Sequence, residues 1–328
     1  MTEPDYDILE ELEARLVPLL TRRGIQVESI QPIGLIGRGA SSSVFSLLIN
    51  GHYHVLKLYY SHTSFLREQR NRRRLIWPPR MLLSSKQNEN SLGYDVVVTE
   101  VPEGTTFNSD YLLDWVQDRL GGHLIELHRI RRARRVSTVG LRTAVNDVAS
   151  GAQKAADIHG GTAPELIEKL LDELPAWLTS NSHKMRVTSS LLHNDLWWDN
   201  IVIAKDDVYL IDWESMKTGD YAEDLAFARL MMDYQPPYYK DRKFWRVTRN
   251  EAAADRFWAG IIDRYEHEFE DETIHARLRF YLVLQTLRRL SDMAYSDLPP
   301  NHELLKIWFT QLPVFWERGL ELDRVETS

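Results

Sequence analysis

The chain has 328 residues, 43% of them hydrophobic, which is enough for two packed lobes with a cleft. It contains no cysteine, so disulfides, thiolate metal sites and a cysteine nucleophile are excluded. The formal net charge is −8, and the acidic excess lies in residues 103–328, which carry 28 basic and 37 acidic side chains. A negative field there would attract cations and repel nucleic acid, although solubility alone also explains it.

Neither a membrane span nor a secretory signal is indicated by the sequence. No apolar run approaches the roughly 20 residues that cross a bilayer. The first residues are acidic and include Pro4, unlike the basic and then apolar start of a secretory signal. We therefore expect a cytoplasmic protein that binds no membrane. The net charge and the absence of a nucleic-acid-binding module disfavour nucleic acid as a partner, and both a monomer and a homodimer stay open.

The first part of the chain predicts one helix followed by β-rich runs. Leucines recur at helical spacing through residues 6–23, and Gly24 is placed to end that helix. Asn50 and Gly51 predict a two-residue hairpin turn, because both positions tolerate positive φ. The predicted strands, with one inserted basic helix at Thr63–Ile76, are Ser29–Ile36, Ser43–Ile49, Tyr53–Tyr59, Met81–Ser84 and Tyr94–Thr99.

After Gly104 the apolar residues recur at steps of three and four, which is typical of helices. The predicted helices are Leu112–His128, Pro164–Leu178, Glu251–Phe269 and Ile274–Met293, and the predicted strands are Leu191–Leu192, Ile201–Ala204 and Val208–Ile211. We therefore predict an α+β, bilobal fold. It has a small antiparallel β-rich N-lobe at 1–98, a hinge at 99–104 and a larger helical C-lobe at 105–328.

The segment 193–200 has the pattern H-x-D-x-x-x-x-N, and Asp212 follows the hairpin that comes after it. Phosphoryl transfer needs a carboxylate that orients and deprotonates the attacking hydroxyl, and oxygen ligands that hold Mg²⁺ against the phosphates. We assign Asp195 as the catalytic base, and Asn200 and Asp212 as magnesium ligands. Polar residues that only cap a loop are the alternative interpretation.

The N-terminal part supplies candidates for nucleotide binding. Small residues between two predicted strands would let backbone N–H groups approach phosphate oxygens, although a plain hairpin turn is an equal alternative. These candidates are Gly37, Gly39, Ser41 and Ser42. Lys57 lies on an apolar strand, where an unpaired ammonium is costly to bury, so it needs an anion. Glu68 on the next helix and the α- and β-phosphates of a nucleotide would provide two anions. A lysine that snorkels to solvent at a strand end is the alternative.

Taken together, these motifs resemble the aminoglycoside phosphotransferase and choline kinase superfamily, whose fold is similar to that of protein kinases. The resemblance covers residues from about 30 to about 230 and includes Lys57, Phe65-x-x-Glu68, Val98 to Gly104, Leu120 to His128, His193 to Asn200, Ile211 to Glu214 and Gly219 to Ala226. It implies ATP, or another nucleoside triphosphate, and Mg²⁺ as cofactors. It further implies that the Thr99 carbonyl and the Val101 amide hold adenine. By the same resemblance, His193 orders the catalytic loop and Asp224 supports the backbone of that loop.

The interval after Asp212 indicates a small-molecule acceptor. Asp224 comes only twelve positions later, which leaves no room for the activation loop of a protein kinase, and no A-P-E sequence follows. Glu214 stands where protein kinases have the glycine of D-F-G. It is either a further carboxylate near the metals or the acceptor, or a surface acid.

Several acceptor classes stay open. Tryptophans near the motif could hold a quaternary ammonium, as in choline and ethanolamine kinases, although tryptophans so placed are more often core; they are Trp197, Trp198 and Trp213. The acidic second part favours an aminoglycoside or another amino sugar, and Asp195-Leu196-Trp197 is similar to the fructosamine-kinase branch. The basic run Arg129–Arg135 argues against a uniformly acidic pocket. It is either an exposed helix end or a patch for an anionic partner.

The sequence thus predicts a kinase that moves the γ-phosphoryl group of Mg-ATP to the hydroxyl of a small molecule, with a cation or an amino sugar among the candidate acceptors. A pseudokinase that binds ATP without turnover is the alternative class. The joint presence of the five chemical groups disfavours it; they are Lys57, Glu68, Asp195, Asn200 and Asp212.

Overall fold

The computed structural model describes residues 7–38, 41–75, 79–100, 104–107, 111–205, 207–232, 234–235, 246–247, 251–295 and 303–318. The chain divides into two compact units. Unit 1 comprises residues 1–106 and 200–215, and unit 2 comprises residues 107–199 and 216–328. The hairpin that follows the H-x-D motif therefore packs with the N-terminal part of the chain.

Unit 1 contains a five-stranded antiparallel sheet in the order β1-β2-β3-β5-β4. Its strands are β1 Ile30–Arg38, β2 Ser42–Ile49, β3 His52–Tyr59, β4 Met81–Ser85 and β5 Asp95–Thr99. The predicted turn between β2 and β3 is confirmed, since Asn50 and Gly51 have φ values of 52° and 77° and Ile49 pairs with His52. The five predicted strands of this part are all present.

Two helices accompany this sheet. Helix α1, Asp7–Arg22, buries Leu12 and Leu16 in one apolar cluster with sheet residues such as Leu56. Each leucine buried in this way stabilises the fold by about 1.5–3 kcal/mol. Helix α2, His62–Arg72, begins after Ser61, whose hydroxyl oxygen accepts a hydrogen bond from a first-turn N–H group.

The buried face of α2 is largely polar. Its buried residues include Glu68, Gln69, Asn71 and Arg72. Buried polar and charged groups are expected to be hydrogen-bonded or paired. Helix α2 is therefore the place in unit 1 where specific polar contacts are expected, and the candidate site lies there.

The rest of unit 1 is a three-stranded sheet in the order β10-β9-β6. Its strands are β6 Thr105–Thr106, β9 Ile201–Ala204 and β10 Asp207–Leu210. Gly104 is required beside it, because a Cβ there would collide with the carbonyl oxygen of Ile203. A single 3-10 turn at Trp213–Ser215 follows β10 and packs against α2.

Unit 2 is mainly helical. Its helices are α3 Asp114–Arg129, α4 Thr138–His159, α5 Ala163–Ser180, α6 Tyr221–Met232, α7 Glu251–Phe269, α8 Ile274–Met293 and α9 Glu303–Arg318. Its strands are β7 Arg131–Arg135, β8 Thr188–Leu192 and β11 Lys217–Gly219, in the order β11-β8-β7, and the pair β12 Tyr234–Gln235 with β13 Arg246–Val247. Helix α8 packs against α4, α6 and α9 and is buried on most sides, so it is the central helix of this unit.

The fold class predicted from the sequence is confirmed: an antiparallel sheet dominates the N-terminal region and helices dominate the C-terminal region. Of the two interpretations left open for the basic run, an exposed helix end does not describe most of it, and a patch for an anionic partner stays untested. Helix α3 stops at Arg129, and Arg131–Arg135 forms the fully exposed edge strand β7. Within the ranges described, no helix is both long enough and apolar enough to cross a membrane.

Candidate active site

A buried lysine organises the site in unit 1. Lys57 lies in β3 between Val44 of β2 and Val97 of β5, and only 9% of it is exposed. Its Nζ donates to Glu68 Oε2 at 2.9 Å and to Asp212 Oδ1 at 3.0 Å. Burial alone would lower the pKa of Lys57, but these two carboxylates outweigh burial and raise the pKa above its ordinary value. The raised pKa keeps Lys57 a charged ammonium at neutral pH.

Glu68 is the fixed partner of this lysine. Its side chain is 4% exposed, and it also accepts a hydrogen bond from the Tyr59 hydroxyl and lies 3.8 Å from Arg72. Burial and the charge of Glu68 both raise the pKa of Tyr59, so Tyr59 remains a donor. The structure thus forms the Lys57–Glu68 pair that the sequence predicted.

Asp212 differs from Glu68 in being accessible. Its side chain is 37% exposed, and its backbone has a φ of 60°, in the left-handed region that aspartate tolerates better than most residues. It comes two residues after strand β10 ends at Leu210. A carboxylate that is partly open to solvent can exchange Lys57 for another cation.

Asn200 stands at the same end of that hairpin as Asp212. Ile201 pairs with Leu210 in the ladder, and the next residues continue the contact, because the Ile211 N–H donates to the Asn200 carbonyl at 3.0 Å. One carboxylate and one amide oxygen are the hard ligands that Mg²⁺ takes, with positions left for phosphate oxygens and water. The residues present therefore fit a magnesium ion that is held together with phosphates.

The candidate phosphate loop is partly described. Ser41 Oγ donates to Glu214 Oε2 at 2.8 Å, so Glu214 is a bonded carboxylate two residues after Asp212 rather than an isolated surface acid. Ser42 is buried at the start of β2, and Gly37 of β1 pairs with Val44 of β2. The predicted contact at Gly39 lies outside the described residues.

The predicted adenine contacts are also partly described. Thr99 ends β5, where it pairs with Val55 and Met81, and it is buried. Val101 lies outside the described residues. The roles of both residues remain predictions.

In unit 2 the start of the loop that follows β8, at His193 and Asn194, is held by one buried carboxylate. Asp224, in α6, accepts from the His193 N–H at 2.6 Å and from the Asn194 N–H at 2.7 Å. Its third partner is His128 Nε2 at 3.1 Å. Burial would raise the pKa of Asp224, but the hydrogen bond and charge of His128, with the backbone donors, lower it below its ordinary value. The loop that presents Asp195, which is half-buried, therefore starts from a fixed backbone.

Two of these supports were not predicted from the sequence. His128 Nδ1 lies 2.6 Å from the Tyr265 hydroxyl, which links α3 to α7 behind the loop. Arg277 of α8 is fully buried and donates to Asp220 Oδ2 at 2.7 Å and to Asp271 Oδ2 at 2.6 Å, which fixes the start of α6. The sequence offered a clue to the role of His128, because this residue ends the apolar stripe of α3. The residues around Arg277 give no such clue.

The tryptophans near the motif divide into core and partly accessible residues. Trp198 and Trp213 are 2% and 0% exposed, and Trp198 stacks on Phe107 at 5.0 Å between ring centroids. They belong to the core of their units. Trp197 is half-buried and is therefore the one of the three that can meet a ligand.

An α+β fold with a buried Lys–Glu pair, an H-x-D-x-x-x-x-N segment and a later aspartate is typical of phosphotransferases. The chain belongs to the phosphotransferase enzyme family (APH), whose model matches residues 35–266. No curated protein matches the sequence.

Solved structures share the fold at low sequence identity. A choline kinase from Cryptosporidium parvum is 13% identical with a TM-score of 0.62, and the match covers 92% of this chain and 94% of that one. A thermostable mutant of an aminoglycoside phosphotransferase with AMP-PNP and hygromycin B is 15% identical with a TM-score of 0.59, covering 91% and 97%. An aminoglycoside phosphotransferase in complex with streptomycin and ATP is 14% identical with a TM-score of 0.56, covering 96% and 99%.

Proposed function

We propose that this phosphotransferase moves the γ-phosphoryl group of Mg-ATP to a hydroxyl of a small molecule. The observation that carries the proposal is the buried ammonium of Lys57, which is bonded to the fixed carboxylate of Glu68 and to the accessible carboxylate of Asp212. A structural ion pair needs one partner. The second, exposed partner is expected when a lysine must stay charged while ligands come and go.

The residues take separate roles in this reaction. Lys57, oriented by Glu68, binds the α- and β-phosphates, and Asp212 and Asn200 hold Mg²⁺. The hydroxyl oxygen of the acceptor bonds to the γ-phosphorus, and Asp195 accepts the proton of that hydroxyl. The bond from that phosphorus to the bridging oxygen breaks, and ADP leaves with the bond's electron pair. Bound Mg²⁺ supplies neutralisation of the phosphate charge.

A small acceptor is supported by the residues between Asp212 and Asp224. The 3-10 turn, strand β11 and the start of α6 at Tyr221 occupy this interval. A protein kinase uses the corresponding interval for a long activation loop that supports a peptide. Here that interval is folded secondary structure.

A cationic acceptor is the version of the proposal that we favour. The names of the related structures include choline kinase and complexes with streptomycin and hygromycin B. Residues 103–328 carry 28 basic and 37 acidic side chains, which favours a cation over an anion. Half-buried Trp197, two residues after Asp195, can add a cation–π contact.

The test is a coupled ADP-release assay of the purified chain with Mg-ATP over a panel of acceptors. The panel contains aminoglycosides, choline, ethanolamine, amino sugars and neutral sugars. It also pairs choline with 3,3-dimethylbutan-1-ol, which has the same shape without the charge. We expect acceptor-dependent ADP release and a phosphomonoester in the product by phosphorus NMR.

Two results would count against the proposal. Nucleotide binding without turnover of any acceptor would favour the pseudokinase alternative. Equal turnover of choline-type acceptors and their neutral analogues would reject the cationic version while leaving the kinase in place.

A further inference from the structure

Asn71 connects α2 to the turn that comes after Asp212. The residue is 1% exposed, and its Nδ2 donates to the Trp213 carbonyl at 2.8 Å and to the Glu214 carbonyl at 3.3 Å. One amide group thus binds two consecutive carbonyl oxygens. The turn after the proposed metal ligand is held from a helix that lies 142 and 143 positions earlier in the sequence.

The backbone at this place needs such support. Asp212 has a φ of 60°, in the left-handed region, which is unfavourable for a residue with a side chain. The orientation of the following peptide groups fixes the direction in which the Asp212 side chain leaves the backbone. Trp213 is fully buried, so its indole and the Asn71 amide together fix this turn.

The same helix also carries Glu68, one turn before Asn71. Glu68 bonds Lys57, Lys57 bonds Asp212, and the turn after Asp212 returns to α2 through Asn71. These contacts form a closed ring of polar interactions. The position of α2 therefore sets the lysine and the metal turn together.

A purely structural role explains Asn71 less well. Its Oδ1 is buried, and among the described residues it has no hydrogen-bond partner. An unsatisfied buried acceptor is unfavourable and offsets part of what the two donated bonds contribute.

We propose that Asn71 is a positioning residue, whose amide holds the Asp212 turn in the orientation that binds the Mg-nucleotide complex. This inference rests on the proposed function. It adds that magnesium affinity depends on a residue that contacts neither the metal nor the nucleotide. Gln69 is the matched control, because it is also buried on α2 and its Nε2 has no partner among the described residues.

The experiment compares Asn71→Ala with Gln69→Ala. Calorimetry measures nucleotide binding over a series of Mg²⁺ concentrations and again in EDTA. For Asn71→Ala we expect the half-saturating Mg²⁺ concentration to rise about tenfold, the size of one lost hydrogen bond. Binding in EDTA should change less than twofold, and Gln69→Ala should match wild type in both conditions. Asn71→Ser, whose hydroxyl cannot span both carbonyls, should behave like the alanine variant.

Hydrogen exchange separates this inference from the proposed function. In the metal-free protein, the peptide that covers residues 212–216 should exchange faster in Asn71→Ala than in wild type and Gln69→Ala. Equal exchange in all three proteins, or an equal Mg²⁺ shift in the Gln69 variant, would overturn the positioning role. A wild-type chain that binds no Mg-nucleotide would overturn the proposed function instead, while the exchange result still decides whether Asn71 fixes the turn.

Discussion

The two units hold aspartates in opposite ways. In unit 1 the Asp212 side chain is 37% exposed and meets the ammonium of Lys57. In unit 2 the Asp224 side chain is 1% exposed, and two backbone N–H groups and His128 occupy its oxygens. The Asp212 carboxylate is thus partly open to solvent, whereas burial and three hydrogen-bond partners hold the Asp224 carboxylate in place.

Exposure and bonding partners can therefore distinguish an aspartate that is suited to bind a ligand from an aspartate that holds a loop in place. A magnesium ligand must release its resting partner and accept a cation, so exposure and a charged neighbour are required. A carboxylate that fixes a loop must keep its donors, so burial and backbone contacts are required. Exposure and bonding partners therefore predict what each of Asp195, Asp212 and Asp224 contributes, and substitution of each residue tests that prediction.

The largest effect is expected for Asp195→Ala. Loss of the proposed catalytic base should lower kcat by about 10²-fold to 10⁴-fold, while the affinity for Mg-nucleotide stays within about twofold. Single-turnover kinetics and calorimetry measure the two quantities separately. Retention of wild-type kcat would remove Asp195 from the group of chemical acids.

Asp224→Asn should act on stability. The amide can accept one of the two loop N–H groups but presents its own N–H₂ toward another donor, so a buried donor is left unpaired. We expect a loss of about 3 kcal/mol in the free energy of unfolding, read from urea unfolding at neutral pH. An unchanged unfolding midpoint would show that the loop backbone is not held by this carboxylate.

The sequence predicted those parts of the molecule that are specified locally. The strands of the N-terminal part were predicted from β-rich runs and from the Asn50-Gly51 turn, and the candidate chemical acids were predicted from the spacing in one short segment. Helix α4 was not predicted, because its buried positions include small residues such as Gly151 and Ala155, which give a weak apolar period. Gly151 is needed for packing, since a Cβ there would collide with Ser291 of α8.

Contacts between distant residues could not be predicted from one sequence. His128 and Asp224 are 96 positions apart, and His128 and Tyr265 are 137 apart. In the sequence Asn71 is one more polar residue of a basic helix, and only the fold shows which carbonyls it meets. The position of β7 at the edge of its sheet explains its arginines, because charged side chains on an edge strand disfavour pairing with other chains.

Asp212→Asn should produce a smaller effect than either substitution above. Lys57 keeps Glu68 as its buried partner, so the lysine stays charged and the unfolding midpoint should change little. The neutral amide is a poorer magnesium ligand, and we expect Mg-nucleotide affinity to fall about tenfold while binding in EDTA is unchanged. Calorimetry with and without Mg²⁺ decides the outcome. An equal loss in both conditions would mean that Asp212 does not act through the metal.

The smallest effect concerns the pH dependence of stability. The folded-state pKa of Asp224 lies below its ordinary value, so the unfolded chain takes up a proton that the folded chain refuses. The stabilisation is therefore fully present above the ordinary carboxyl pKa of about 3.9 and is lost as the pH falls through the lower folded-state pKa. The difference in unfolding midpoint between wild type and Asp224→Asn should shrink as the pH falls below about 4. If the difference in unfolding midpoint stays constant with pH, the charge of Asp224 does not account for its stabilising effect.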